Sequence, residues 1–166
     1  SGVILSLLFR GFAKALKGVD AATSVQFANG WNAGVQAAYK AVMKPTEGTI
    51  LTVARLSAIY AAELAEGEED VTVLFEKMIG KAEETLQKTP EMLPVLKQAN
   101  VVDAGGRGLV VIFEGMLHYL KTGEIIPLEE EQPAETTAER ADFSSMDTES
   151  INFAYCTEFI INRDDS

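Results

Sequence analysis

Val101-Val-Asp-Ala-Gly-Gly-Arg-Gly-Leu109 joins two apolar segments of helical spacing and carries one acid, one base and three glycines. Glycine adopts backbone angles closed to other residues and lets a ligand approach the main chain closely. The stretch therefore predicts that a helix ends, the chain turns tightly, and a last long helix runs from Gly106 or Arg107 to residue 121. Apolar periodicity predicts that the inward face of this helix carries Leu109, Ile112, Phe113, Met116 and Leu120.

Upstream of this turn, apolar residues recur at helical spacing along most of the chain. They predict a first helix that ends near Gly18 and a second that is capped by Asp20. The inward stripe of the second helix is predicted to hold Ala28, Trp31, Val35, Ala38 and Val42. Pro45 stops this helix because proline lacks an N–H donor and clashes with the preceding turn.

Three more helices are predicted between Pro45 and the glycine-rich turn. One begins at Thr46 or Glu47, the next is capped by Asp70 and ends at Thr89-Pro90, and a short one covers residues 92–98. No alternation typical of β-strands has useful length before residue 150. Short connections between these helices favour antiparallel neighbours, so the sequence predicts an all-α domain over residues 1–123.

Charge divides the chain into two parts. Residues 1–123 have a net charge of −1 and residues 124–166 a net charge of −10, which together give the net charge of −11. No basic patch is available to neutralise nucleic-acid phosphates, so we expect no nucleic-acid partner. We interpret residues 124–150 as an acidic linker. Residues 151–161 are rich in aromatic and β-branched side chains, and we interpret 151–166 as the start of a following domain with one strand-like segment.

A single cysteine, Cys156, excludes an internal disulfide and fits a reducing compartment, so we predict a cytoplasmic protein. No apolar run approaches the roughly 20 residues needed to span a bilayer. His118 has no second histidine or cysteine near it in sequence and is interpreted as a surface or boundary residue, not a metal ligand.

Three separated segments together resemble one family. They are the turn at residues 101–109, Lys44-Pro-Thr-Glu-Gly-Thr-Ile-Leu51, and Ser1-Gly2-Val3-Ile4-Leu5. The chain resembles the nucleotide-binding domain of the dihydroxyacetone kinase L-subunit type, and is most similar to the ATP-binding subunit of bacterial fatty acid kinase. The likeness runs from residue 1 to about residue 121 and continues at residues 153–159. It implies a kinase that uses ATP/ADP and Mg, and an up-and-down helical barrel of about eight helices, of which the last five or six are present.

The resemblance also implies that this is an N-terminally truncated fragment. In the family, Ser1-Gly2 ends a turn that follows an Asp-rich, magnesium-holding loop, and that loop is absent from this sequence. We therefore assign no catalytic and no metal-binding residue here. We expect the fragment to be inactive and to bind Mg-ATP weakly by itself.

The first two predicted nucleotide-binding segments open helices. By resemblance, Ser1 and Gly2 contact the nucleotide phosphates, where free N–H groups and the helix dipole attract anions. Gly48, Thr49 and Ile50 match the place where the relatives set a Thr-Met pair against the nucleotide. From the residues alone, Ser1-Gly2 is better explained as a helix N-cap, and Gly48-Thr49-Ile50 as a cap followed by a core isoleucine.

The third predicted segment is the glycine-rich turn. Asp103 matches an Asp of the relatives and is expected to accept from ribose hydroxyls, while Ala104, Gly105 and Gly106 pack against base or sugar. Lys97 stands where the relatives have arginine, and it keeps the charge without the bidentate geometry. Asp103 is also a good helix cap by itself, and Arg107 an ordinary surface charge. The turn lacks the P-loop pattern.

Three functions stay open at this point. The resemblance favours a subunit that moves the γ-phosphoryl group of ATP to a fatty acid held by a separate fatty-acid-binding protein. A dihydroxyacetone kinase subunit is the first alternative, although such chains usually end near the helical domain. A non-catalytic helical interaction module with an acidic tail is the alternative from another class.

Overall fold

Helices account for most of residues 2–127, the part of the chain that the computed structural model describes. These residues form α1 (Gly2–Ala15), α2 (Ser24–Ala41), α3 (Ile50–Leu64), α4 (Val71–Gln87), α5 (Thr89–Met92), α6 (Pro94–Ala99) and α7 (Ala104–Thr122). The predicted all-α class is confirmed. Ser1 and residues 128–166 lie outside the described part, so the linker and the strand-like segment stay predictions.

Side-chain caps determine where several helices begin. Thr23, and not Asp20, caps α2, because its hydroxyl accepts from the Gln26 N–H at 3.2 Å while the Gln26 side chain accepts from the Thr23 N–H at 3.0 Å. Asp70 caps α4 as predicted, accepting from the Thr72 N–H at 2.7 Å. Asp103 caps α7, so this helix begins at Ala104, two or three residues before the predicted start at Gly106 or Arg107.

The long helices pack mainly on their neighbours in the chain. α1 packs on α2, α2 on α3 and α3 on α4, while α7 returns to pack on both α3 and α4. Trp31 of α2 lies at the centre, with its ring 4.8 Å from Phe113 of α7. Phe75 of α4 lies 5.5 Å from Phe113 and 5.2 Å from Phe27 of α2. These aromatic contacts join the helices into one core.

The predicted inward face of α7 is only partly correct. Leu109 and Phe113 are buried, but Ile112 and Leu120 are 38% and 50% exposed. α7 contacts α3 and α4 along one side, so its other apolar edge borders an open groove toward Phe12 of α1. Within residues 2–127, no helix combines the length and apolar character needed to cross a membrane.

Glycines set the distance between α1 and α2. A Cβ built on Gly11 would lie 2.6 Å from the Gly34 Cα, and one built on Gly34 would collide with the carbonyl group of Leu8. The two backbones therefore touch directly, which only glycine permits at this pair. This contact brings the start of α1 close to the end of α2.

We expect Gly34→Ala to lower the free energy of unfolding by about 3 kcal/mol or more, because backbone and not a flexible side chain would have to move. Urea unfolding measures it. Gly80→Ala is the matched control, since Gly80 lies in α4 with no atom within 4 Å of its Cβ position. The free energy of unfolding of this control should rise by roughly 0.5–1 kcal/mol, because alanine favours a helix more than glycine does. Equal stability of the two variants would contradict a close α1–α2 contact.

Candidate functional site

Four helix ends meet around a small groove whose lining is half polar and half apolar residues. The first turn of α1, the chain after α2, and the starts of α3 and α7 surround a volume of about 300 Å³. Its lining residues are Ile4, Val42, Lys44, Thr46, Thr49, Ile50, Leu51 and Asp103. Since three of these ends are helix N-termini, unpaired N–H groups and helix dipoles favour an anion here.

Thr49 stands directly before α3 without capping it. Its side chain makes no cap hydrogen bond, and its hydroxyl instead donates to the Thr46 carbonyl at 2.8 Å. The first N–H groups of α3 are therefore not occupied by this side chain, and a ligand oxygen can take that place. Ile50, the next residue, is buried in the core with 6% exposure.

A polar network braces the loop that carries Thr49. Glu47 receives two hydrogen bonds from Arg55, at 2.9 and 2.8 Å, and one from the Thr52 hydroxyl at 2.8 Å. Arg55 also donates to the Tyr39 hydroxyl at 2.9 Å. Burial opposes the charge on Arg55, but the hydrogen bond to Tyr39 and the carboxylate of Glu47 outweigh it and raise the pKa of Arg55. The loop is thereby tied to both α2 and α3.

Gly48 has the backbone geometry that makes this loop possible. Its φ is +79°, and its N–H donates to the Thr52 hydroxyl at 3.0 Å. A Cβ at this position would lie 2.9 Å from the Leu93 Cβ and 3.0 Å from the Thr89 carbonyl oxygen. The predicted helix start at Thr46 or Glu47 is therefore wrong, because the left-handed glycine delays α3 until Ile50.

We expect Gly48→Ala to lower the free energy of unfolding by about 2 kcal/mol more than Gly18→Ala. Both glycines have positive φ, at +79° and +81°, and share the strain of about 1–2 kcal/mol for a left-handed residue with a side chain. Only Gly48 adds overcrowding, because no atom lies within 4 Å of a Cβ on Gly18. Urea unfolding of the pair measures the difference. Equal losses of unfolding free energy in the two variants would show that the neighbours of Gly48 move aside at little cost.

Asp103 forms the other wall of the groove. One carboxylate oxygen accepts from the Gly106 N–H at 2.7 Å, and the Asp103 N–H donates to the Thr89 hydroxyl at 3.1 Å. The predicted tight turn lies earlier than the glycines, at Asn100, whose φ is +52°. Gly106 is helical and buried, and a Cβ there would lie 3.0 Å from Val53 Cγ2. This glycine therefore serves close packing of α7 on α3.

The remaining predicted nucleotide-binding residues lie at different distances from the groove. Gly2 begins α1, two residues before Ile4, which lines the groove. Ala104 and Gly105 open α7 directly after Asp103, but they do not line the groove. Lys97 is exposed on α6, and it also does not line the groove. Ser1 lies outside the described residues.

Two groove residues were not selected from the sequence. Lys44 and Thr46 both line it, and Lys44 is exposed and makes no ion pair within residues 2–127. Both lie in the segment 44–51, which also contains Gly48 and Thr49, so their nearness to these residues in sequence could have indicated them. The ammonium group of Lys44 beside these helix N-termini adds to the attraction for phosphate.

The described residues do not provide a magnesium site. In residues 2–127, no three His, Cys, Asp or Glu side chains lie close enough to hold a metal ion. Asp103 is the sole carboxylate lining the groove, and one of its oxygens is used by Gly106. His118 is exposed on α7, as predicted, and Arg107 pairs with Glu83 at 3.4 Å on the surface.

A larger cavity lies elsewhere and has a different character. It measures about 630 Å³ and is lined by Phe12, Phe27, Ile112, Gly115, Met116, Tyr119, Leu120, Ile125 and Ile126. Apart from the Tyr119 hydroxyl, these side chains offer nothing polar to orient a phosphate. We therefore take the smaller groove, which has Lys44, Thr49 and Asp103 in its lining, as the candidate site.

The described residues thus form an all-helical domain with a groove at the starts of three helices. Residues 1–118 match the family model described as the DAK2 domain. This chain belongs to the DAK2 domain family, the dihydroxyacetone kinase L-subunit type. That family relation is the resemblance expected from the sequence.

The curated relatives are considerably longer than this chain. Protein YloV of Bacillus subtilis is 47% identical over 169 residues, which cover 99% of this chain and 30% of that protein. An uncharacterized protein of Staphylococcus saprophyticus is 46% identical, covering 97% of this chain and 30% of its own length. One of Staphylococcus aureus is 45% identical with the same coverage. The chain therefore spans about 30% of these relatives.

Proposed function

We propose that this chain forms the nucleotide side of a kinase active site. Its groove binds part of ATP or ADP, and the whole protein moves the γ-phosphoryl group of ATP to the carboxylate of a fatty acid held by a partner protein. Membership of a kinase-related family supports the reaction class. The observation that carries the proposal is the convergence of Thr49, Asp103 and Lys44 in one groove with the first turn of α1.

Each groove residue has a distinct task in this proposal. The N–H groups at the start of α3, directly after Thr49, donate to phosphate oxygens, and the ammonium group of Lys44 offsets their charge. Asp103 keeps one oxygen on Gly106, which leaves Oδ1 to accept from a ribose hydroxyl. Phosphoryl transfer depends mainly on such positioning and charge stabilisation. The residues present do not make a Mg site, so no step is assigned to the metal.

In the transfer itself, a carboxylate oxygen of the fatty acid bonds to the γ-phosphorus while the bond to the β–γ bridging oxygen breaks. ADP leaves with that oxygen, and the product is an acyl phosphate. The length of the curated relatives supports this acceptor over dihydroxyacetone, because this chain covers only 30% of them and dihydroxyacetone kinase subunits usually end near the helical domain.

The full-length gene product is the material that tests this function. With ATP, magnesium and a fatty acid loaded on its binding protein, we expect hydroxylamine to trap an acyl hydroxamate, with ADP formed in equal amount. Dihydroxyacetone in place of the fatty acid should give no phosphorylated product. Phosphorylation of dihydroxyacetone instead would favour the other kinase, and the absence of any ATP-dependent stabilisation would favour a non-catalytic interaction module.

We expect Asp103→Ala to weaken Mg-ATP binding to the full-length protein about 10-fold, because a charged acceptor for ribose is lost. Titration calorimetry measures the affinity, and circular dichroism should show almost unchanged helix content. Loss of the cap itself costs about 1 kcal/mol of stability.

Asp70→Ala is the matched control for that variant. Asp70 caps α4 through the Thr72 and Val73 N–H groups and does not line the groove. The control should lose a similar stability without any change in nucleotide affinity. Equal Mg-ATP affinities of the two variants would show that Asp103 acts only as a helix cap.

A further inference from the structure

Thr89 is a fully buried polar residue between the two walls of the groove. It is the first residue of α5 and has 0% exposure. Its hydroxyl donates to the Leu86 carbonyl at 2.7 Å and accepts from the Asp103 N–H at 3.1 Å. Both roles of the hydroxyl are thus satisfied inside the protein, where an unsatisfied group would be costly.

The backbone of the same residue meets the opposite wall. The Thr89 carbonyl oxygen lies 3.0 Å from the Cβ position of Gly48, and the Met92 Cβ lies at the same distance. Gly48 immediately precedes Thr49, whose side chain lines the groove. Thr89 therefore contacts both the Gly48 loop and Asp103.

We propose that Thr89 is a positioning residue for the nucleotide groove. Its hydroxyl fixes Asp103 relative to Thr49 by holding the Asp103 N–H, although Thr89 itself does not line the groove. This inference rests on the proposed function, because the distance between the two walls matters only if one ligand spans them. Small displacements of positioned groups weaken binding and catalysis strongly.

The chain contains a matched control for this inference. Thr85 lies one turn earlier, in α4, is 2% exposed, and donates its hydroxyl to the Lys81 carbonyl at 2.8 Å. It lies outside the groove lining, and that helix carbonyl is its one side-chain partner within the described residues. Thr85→Val and Thr89→Val each remove one buried threonine hydroxyl. Only Thr89→Val leaves the Asp103 N–H without its acceptor.

The experiment compares Thr89→Val, Thr89→Ser and Thr85→Val in the full-length gene product by titration with Mg-ATP. We expect the dissociation constant of Thr89→Val to rise about 10-fold, because the loss of one hydrogen bond to a buried group costs a free energy that corresponds to about that factor. Thr89→Ser keeps the hydroxyl and should stay within about twofold of the wild type, as should Thr85→Val. Thermal unfolding measures the stability of each variant, and Thr89→Val should lose more than Thr85→Val because it alone leaves the Asp103 N–H without its acceptor.

Hydrogen exchange supplies a readout that does not depend on nucleotide. The Asp103 amide should exchange faster in Thr89→Val than in Thr85→Val, because its acceptor is gone.

Unchanged affinity in Thr89→Val, or failure of Thr89→Ser to retain affinity, would overturn the role of Thr89 while leaving the proposed function intact. Lack of Mg-ATP binding by the wild type would instead overturn the proposed function, and the positioning role with it.

Discussion

The contact of Trp31 with Phe113 joins the two halves of this domain. α1 and α2 form one half through the Gly11–Gly34 contact, and α3, α4 and α7 form the other. Trp31 crosses between them with its ring 4.8 Å from Phe113 and stacks at 4.4 Å on Phe12. Aromatic pairs of this kind add about 0.5–1.5 kcal/mol each to the burial of their area. The groove depends on this junction, since its lining comes from both halves.

Close packing behind the groove determines where its polar groups lie. Gly106 lets α7 approach Val53 of α3, and Gly48 lets the loop before α3 approach Leu93. A side chain at either glycine would push apart the walls that Thr49 and Asp103 form. The polar residues of the groove are thus held by contacts that involve no ligand, which is the preorganisation that a binding site requires.

Local signals in the sequence were enough to predict most of the fold. Apolar periodicity gave the long helices, and the Asp70 cap and the buried Trp31 were predicted directly. The prediction of Asp20 as the cap was wrong because Thr23 and Gln26 form a capping box, a four-residue pattern that is visible in the sequence. Ile112 was assigned to the core because periodicity reports one apolar face and cannot tell which neighbours cover it.

The candidate site was less predictable because it depends on contacts between distant residues. Asp103 and Thr49 were selected from the sequence, and the structure brings them to one groove. Thr89 gave no such signal, since a threonine before proline reads simply as the end of a helix. Its hydroxyl bond to Asp103 joins residues 14 apart, and its carbonyl meets a glycine still farther away. Burying the Thr89 hydroxyl costs little free energy while it both donates and accepts a hydrogen bond, but removing it leaves a buried N–H unsatisfied. The geometry of the groove therefore depends on a residue that does not line it.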